Sequence, residues 1–588
     1  MKSTLLSRRD LDFLLFEWLR VDELTQRPRF AEHSHDTFTG VLDLCEQLAV
    51  RYFAPHNKNS DTHEPTFDGE KVTLIPEVKE AWEAFAAADL LAMGMDAELG
   101  GAQLPATVAQ AAFAWISAAN LATSGYLMLT IANANLLAEF GTGEQIDRFV
   151  RPMLAGRFSG TMALSETQAG SSLADITTRA EPRDNGTYRL FGSKMWISGA
   201  EHDITENIVN LVLAKIPGGP PGTKGISLFI APKYLVAEDG SVGERNDVVL
   251  AGLNHKMGQR GITNTVLNFG EGAFAPGGEP GAVGYLVGEP HHGITYMFRM
   301  MNEARLGVGM GAVALGYTGY LKSVRYARER QQGRPITAKD PATPQVPIIE
   351  HADVKRMLLA QKCYVEGALA LALFCARLVD LGDNQDLLDI LTPVAKSWPS
   401  QWCLEANNLA IQVHGGYGYT REYDVEQHYR DNRLNPIHEG THGIQSLDLL
   451  GRKVTQRGGA SLRAVGEALA ATVTAAGECG GEAASLAEEL HGRWQRLVTV
   501  TAAMFGSGDI EAVMANSVVY LEAFGHVVIA WMWLEQFLAA EGRTGDFYDG
   551  KRQAARFFYR YELPKVGPQL DLLDRLDRTT LEMRDSWF

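Results

Sequence analysis

Residues 411–445 read IQVHGGYGYTREYDVEQHYRDNRLNPIHEGTHGIQ, and within them HEGTH satisfies HExxH letter for letter. On a helix that pattern is a zinc clamp: two imidazoles four residues apart share a face and hold the metal, and the glutamate activates water. The surrounding residues oppose a helix. Gly440 lies between His438 and His442, at a cost of about 1 kcal/mol relative to alanine in a helix interior, and Pro436 lies just upstream. The longer zinc motif would place Gly and His where the chain has Gln445 and Asp448. The stretch therefore predicts a turn at PIHEGTH that feeds a helix beginning near GIQSLDLLGRKV, and no metal site.

Outward from this turn the chain changes texture three times. Residues 1–158 are alanine- and leucine-rich with helix-period apolar positions. Residues 159–288 carry short strand-like runs, TYRLFGSKMWISG, NIVNLVLAKI, GISLFIAP and TNTVLNFG, separated by glycine- and proline-rich clusters, so a mainly antiparallel sheet is expected. Residues 289–455 return to long helical segments, and a further helical module is expected over 456–588. The predicted fold class is α+β and mainly α: an N-terminal helical domain, a β domain, a four-helix bundle and an extra helical domain. GVGMGA, residues 307–312, approaches a dinucleotide-binding fingerprint, but it follows the helix-like MFRMMNEAR instead of a strand, which predicts close helix packing through small residues.

Composition narrows the function. With 588 residues, 46% hydrophobic and 21% charged, the chain has material for several cores. A net charge of −17 and the lack of long basic runs argue against a nucleic-acid binder. The five cysteines lie far apart with no CxxC, which points to a reducing, cytoplasmic-type compartment. The opening segment carries Asp10, Asp12 and Glu17 and reads as an amphipathic helix, not as a secretory leader. The uncharged stretch Gly100–Ala138 is interrupted by polar residues such as Asn133, so helices buried on other helices are expected and no membrane span.

Four separated motifs occur in order: SGTMALSETQAGSSLADITTRA at 159–180, KMWISGA at 194–200, MNEARLGVGMGAVALG with ARERQQGR at 301–334, and the 411–445 stretch. Together, over about Leu91 to Lys453, they resemble the acyl-CoA dehydrogenase family. The resemblance implies FAD lying extended between the β domain and the bundle and reaching a neighbouring subunit. It places Met162, Leu164, Ser165, Trp196 and Ser198 at the flavin ring, and Ser171 at both cofactor and CoA thioester. Arg330 matches the residue that reaches the FAD pyrophosphate across a subunit interface, a task suited to its fixed donors. Gln412, Gly415 and Gly416 match the segment that approaches a neighbour's FAD through its backbone, and Thr441 and Gly443 match further cofactor contacts. Asn302, Arg305 and Gly440 stand at substrate positions.

Within that resemblance Glu439 aligns with the catalytic carboxylate. Removing a proton α to a thioester needs a base close to that carbon, with its pKa raised by a dry site. The family pairs this with hydride transfer from Cβ to FAD, giving a trans-2-enoyl-CoA, and passes electrons to electron-transfer flavoprotein. The chain's length and its last module resemble a larger bacterial subgroup acting on fatty acyl-CoAs or methylthiopropionyl-CoA, commonly as homodimers. An acyl-CoA oxidase, and a non-catalytic or nucleic-acid-binding relative of the same fold, are the alternatives; acyl chain length is not readable. His438 and His442 depart from the family pattern and read as structural.

Overall fold

The computed structural model describes residues 3–588; Met1 and Lys2 of the opening segment lie outside them. Two compact units result, and neither is continuous in sequence. The chain through Ser34, Pro105–Ala114 and Arg305–Phe588 form a helical unit, and His35–Leu104 with Trp115–Ala304 form a sheet-containing unit. The texture-based segments thus exchange pieces, because an amphipathic segment joins whichever core covers its apolar face.

In the sheet-containing unit the expected runs form strands Tyr188–Ser198, Asn207–Lys215, Ile226–Pro232 and Asn264–Phe269. They belong to an eight-stranded sheet. Its pairs are antiparallel except where Phe158–Ala163, and one residue of Arg179–Pro182, run parallel to Asn207–Lys215. Ile226–Pro232 is buried throughout, as its largely apolar sequence predicts, and so is Phe158–Ala163 despite Ser159 and Thr161. The 20-residue helix Leu121–Phe140 lies on Phe158–Ala163, and here the polar interruption has a purpose. Asn133 donates to the carbonyls of Thr161 (3.0 Å) and Val209 (2.9 Å), bonds that a buried amide requires. This helix and Ser517–Ala540 are the two long and apolar enough to cross a membrane among the described residues, and both bury most of their length inside the protein.

In the helical unit, Gly293–Glu329 (from Arg305 onward), Ala352–Leu381 and Gln385–His414 are the long bundle helices, joined by the shorter Val425–Asn432 and His442–Asp448. GVGMGA sits inside the first of them. A Cβ on Gly309 would lie 2.0 Å from the Ala395 carbonyl oxygen, so glycine is what lets Gln385–His414 approach at that level. The opening segment is helical from Arg8 to Trp18, with Leu11, Leu14 and Leu15 fully buried. Asp10 accepts from Tyr317 Oη at 2.8 Å and pairs with Lys551 of Asp546–Phe557, while Trp18 Nε1 donates to Glu535 at 2.9 Å. The N-terminal segment, the bundle and the last module thus share one core.

Candidate active site

PIHEGTH is a turn. The helix that follows starts at His442, with Thr441 as its N-cap accepting from the Ile444 N–H at 3.2 Å. His438 and His442 therefore share no helical face, and each has its own partner: Asn435 Oδ1 at 3.1 Å from His438 Nε2, and Ser397 Oγ at 2.5 Å from His442 Nδ1. Burial and the nearby Lys396 ammonium push both imidazoles toward the neutral form, with His438 down to about 3.

The turn is anchored from below by a ladder of buried asparagines. Asn407 donates to the Leu315 carbonyl at 2.9 Å, Asn432 donates to Asn407 Oδ1 at 2.7 Å, and Asn435 donates to Asn432 Oδ1 at 2.9 Å. Lys396, fully buried on Gln385–His414, donates to the carbonyls of Asn435 and Gly440, each at 2.7 Å. Gln445 Nε2 donates to the Glu439 carbonyl at 3.1 Å, and the His442 N–H to that of Pro436 at 2.9 Å.

These bonds hold Glu439 at φ 51°, a left-handed conformation costly for a residue with a side chain, and Gly440 at φ 87°. The left-handed φ favours glycine at 440, and a Cβ there would press on Gln445 Nε2 at 2.4 Å. The Glu439 carboxylate, by contrast, has no hydrogen-bond partner among the described residues, and neither have the N–H groups of Glu439 and Gly440. Burial raises the Glu439 pKa, outweighing the opposing charges of Lys396 and Arg305. A base with a raised pKa and two adjacent backbone donors is equipped to take a proton and to receive an oxyanion.

Arg305 is 3% exposed and pairs with Asp448 at 3.1 Å, so its guanidinium acts here as a buried charge near Glu439. Asn302 lies one turn earlier on the same helix and is exposed. Arg330, Gln412, Gly415 and Gly416 form a second, exposed group where two bundle helices end. Arg330 lies over the Tyr417 ring at 5.9 Å, and Tyr326 stacks on His414 at 4.3 Å. Gly415 takes φ 60°, with nothing within 4 Å of a Cβ at either glycine. Gly443 lies in the first turn of His442–Asp448.

In the sheet-containing unit, Met162, Leu164, Ser165, Trp196 and Ser198 come together. The Met195 N–H donates to the Ser165 carbonyl at 3.0 Å, Lys194 Nζ to that of Leu164 at 2.9 Å, and Thr161 Oγ1 to that of Ser198 at 2.6 Å. Beneath them Glu166 is enclosed: Thr177 and Thr178 each donate a backbone N–H and a hydroxyl, and Lys194 pairs with it at 3.0 Å. Trp196 is held at φ 66° with its indole 59% exposed. A large open aromatic face on a fixed, strained backbone offers a planar ring a surface to lie against. Ser171 is exposed on the following loop.

Family models match in the same order: "Acyl-CoA dehydrogenase, N-terminal domain" over residues 41–157, "middle domain" over 161–270, "C-terminal domain" over 291–454, and "Acetyl-CoA dehydrogenase C-terminal like" over 464–584. The chain belongs to the acyl-CoA dehydrogenase family. Two relatives are each 34% identical: a 3-methylmercaptopropionyl-CoA dehydrogenase of Ruegeria pomeroyi, matched over 92% of this chain and 93% of the relative, and a broad-specificity linear acyl-CoA dehydrogenase of Mycobacterium tuberculosis, matched over 99% of both. An acyl-CoA dehydrogenase from Bacillus anthracis solved with FAD has the same fold, with a TM-score of 0.73 and 19% identity over 99% of this chain and 93% of that one. As an acyl-CoA dehydrogenase the chain is an oxidoreductase acting on CH–CH bonds, with FAD as cofactor.

Lys396, Asp448, Gln445 and the asparagine ladder escaped the sequence reading. The sequence carries no signal for these roles, since the partners of Lys396 are backbone carbonyls distant along the chain.

Proposed function

We propose that Glu439 is the base that removes the α-proton of the acyl thioester, with its own N–H donating to the thioester carbonyl oxygen. The observation that carries this is the half-buried carboxylate with a raised pKa that, like the N–H beside it, has no hydrogen-bond partner among the described residues. FAD, when bound, would supply the hydride acceptor that forming a trans-2-enoyl-CoA requires. Met162, Leu164, Ser165, Trp196 and Ser198 would line the flavin ring, and Ser171, Thr441 and Gly443 would add cofactor contacts. Arg330, Gln412, Gly415 and Gly416, exposed together, would serve a neighbouring subunit's FAD. Asn302 and Gly440 would border the substrate, while Arg305 acts through its charge.

Both relatives carry names that describe unbranched acyl chains, so an unbranched acyl-CoA is the proposed substrate and electron-transfer flavoprotein the proposed acceptor. The exposed ring of Tyr417 beside Arg330, with Tyr419 exposed two residues on, supports a homodimer. Five free thiols suit a reducing, cytoplasmic compartment.

Replacing Glu439 by Gln tests the central claim: the variant should keep its yellow FAD yet show no bleaching by any acyl-CoA, and retained turnover would refute the assignment. A panel of straight, branched and sulfur-containing acyl-CoAs tests the substrate class. Peroxide formation in air without another acceptor would instead identify an oxidase, and light scattering would reveal a monomer if no dimer forms.

A further inference from the structure

We propose that Lys396 is a positioning residue for proton abstraction: its ammonium ties together the two ends of the turn that presents Glu439. This rests on the reading of Glu439 as the base. Lys396 reaches the turn from a different helix, Gln385–His414, and its two bonds go to the carbonyls of Asn435 and Gly440, which bracket Glu439 in sequence. Between those two points the backbone carries the left-handed Glu439 and Gly440 conformations, which nothing intrinsic to a glutamate favours. A strained turn persists only where its surroundings over-determine it, and one atom, Lys396 Nζ, bonds both ends.

The place from which Lys396 acts is itself built. Gly309 permits Gln385–His414 to approach Gly293–Glu329 with its own Cβ position 2.0 Å from the Ala395 carbonyl and 3.4 Å from the Lys396 Cα. Ser400 Oγ, one turn on, donates to the Lys396 carbonyl at 2.6 Å. The backbone at Lys396 is thereby held against Gly293–Glu329, and its ammonium reaches the turn.

Lys396 is also the charge that the site feels. The ionisable groups it faces are Glu439, His438 and His442 on the turn and the helix after it, and Arg305 on Gly293–Glu329, whose own partner is Asp448. Burial lowers the lysine's pKa to about 7, Glu439 draws it upward, and Arg305 pushes it down. In its charged form Lys396 favours the carboxylate form of Glu439 and adds to the burial that keeps both imidazoles neutral. It therefore opposes the burial that raises the base and limits how far that base is raised.

The test compares Lys396→Gln, Lys396→Arg and Lys396→Met in the FAD-loaded full-length protein, alongside Glu439→Gln. Expected for Lys396→Gln are unchanged flavin content, a kcat lowered about 10- to 100-fold, as when a base is misaligned, and a KM within about twofold. The acidic limb of its kcat–pH profile should move to higher pH, and Lys396→Arg should return that limb toward the wild-type position. Wild-type kcat and an unmoved limb in both Lys396→Gln and Lys396→Met would overturn the proposal. If neither variant holds its flavin, Lys396→Arg decides. Flavin content and melting temperature recovered by arginine support a cationic donor that ties the turn, and a Lys396→Arg variant that fails as Lys396→Met does overturns the proposal in favour of packing alone. An active Glu439→Gln would sink the reading of the base itself, whereas an inactive one beside fully active Lys396 variants sinks only this inference.

Discussion

Glu166 and Glu439 are both carboxylates withdrawn from water, and the protein treats them in opposite ways. Glu166, in the sheet-containing unit, receives two N–H groups, two threonine hydroxyls and the Lys194 ammonium. The Lys194 charge and these hydrogen bonds overcome burial and hold it well below the usual carboxylate range. Glu439, in the helical unit, receives charge from Lys396 and Arg305 but no hydrogen bond, and burial prevails. Glu166 is 4% exposed and saturated with donors, whereas Glu439 is half-buried and lacks them among the described residues. A buried carboxylate with every lone pair occupied stabilises structure, and one left open retains the capacity to bind a proton.

The largest expected effect separates the two at once. Glu439→Gln should lower kcat by about 1,000-fold or more, the upper range of general-base contributions, with FAD retained. Glu166→Gln should leave the chemistry of whatever protein remains folded largely intact, but strand Lys194 as a buried cation without a carboxylate. Breaking such a pair costs about 3 kcal/mol or more, so the first melting transition should fall by roughly 10 °C. Comparable melting temperatures for Glu166→Gln and wild type would end the contrast.

The same pair predicts opposite pH dependences of stability. Glu166 has its folded pKa lowered, so its contribution is fully present above the unfolded value of about 4.3 and is lost as pH falls toward the folded one. Glu439 has its folded pKa raised, so it lowers stability as pH climbs from about 4.3 through the folded value, and the loss then levels off. Melting curves from pH 4 to 8 should therefore show Glu439→Gln slightly above wild type at neutral pH and converging with it in acid. A Glu439→Gln curve below wild type at pH 7 would mean that the carboxylate stabilises the turn after all.

Much of this was legible beforehand, and the reasons are local. Pro436 and Gly440 refused the helix that a zinc clamp needs, and the turn and N-cap found at 436–442 follow from those residues. Alternating and continuous apolar runs announced Tyr188–Ser198 and Ile226–Pro232 because strand burial has a period visible in one dimension. GVGMGA was readable as close packing because its preceding segment was helical. Lys396 was not readable. It lies between Pro393 and Pro399, which argue against a helix, yet both are accommodated inside the 30-residue helix Gln385–His414. Its partners are backbone carbonyls some 40 positions away, 39 and 44 in sequence, and carbonyls carry no side-chain signature. The positive φ of Glu439 is hidden for the same reason: the residues that enforce it are Lys396 and Gln445, not its neighbours in the chain.

The smallest expected effect probes the second cation at the base. Arg305 is shared between Asp448, which it touches at 3.1 Å, and the field of Glu439; Asp448 in turn also holds Arg452 at 2.7 Å. Asp448→Asn removes the competitor while leaving a side chain of the same shape that still accepts a hydrogen bond. Arg305 then retains Glu439 as the carboxylate its charge acts on, so the ionised base gains favour and its pKa falls. The acidic limb of kcat should move down by about half a unit, equivalent to about 0.7 kcal/mol, in the direction opposite to that expected for Lys396→Gln. Because the two substitutions act on one carboxylate through different cations, the double variant should sit near the wild-type limb. A limb that moves upward in Asp448→Asn would show that Arg305 is held near Glu439 by Asp448, and that the aspartate serves the base instead of competing with it.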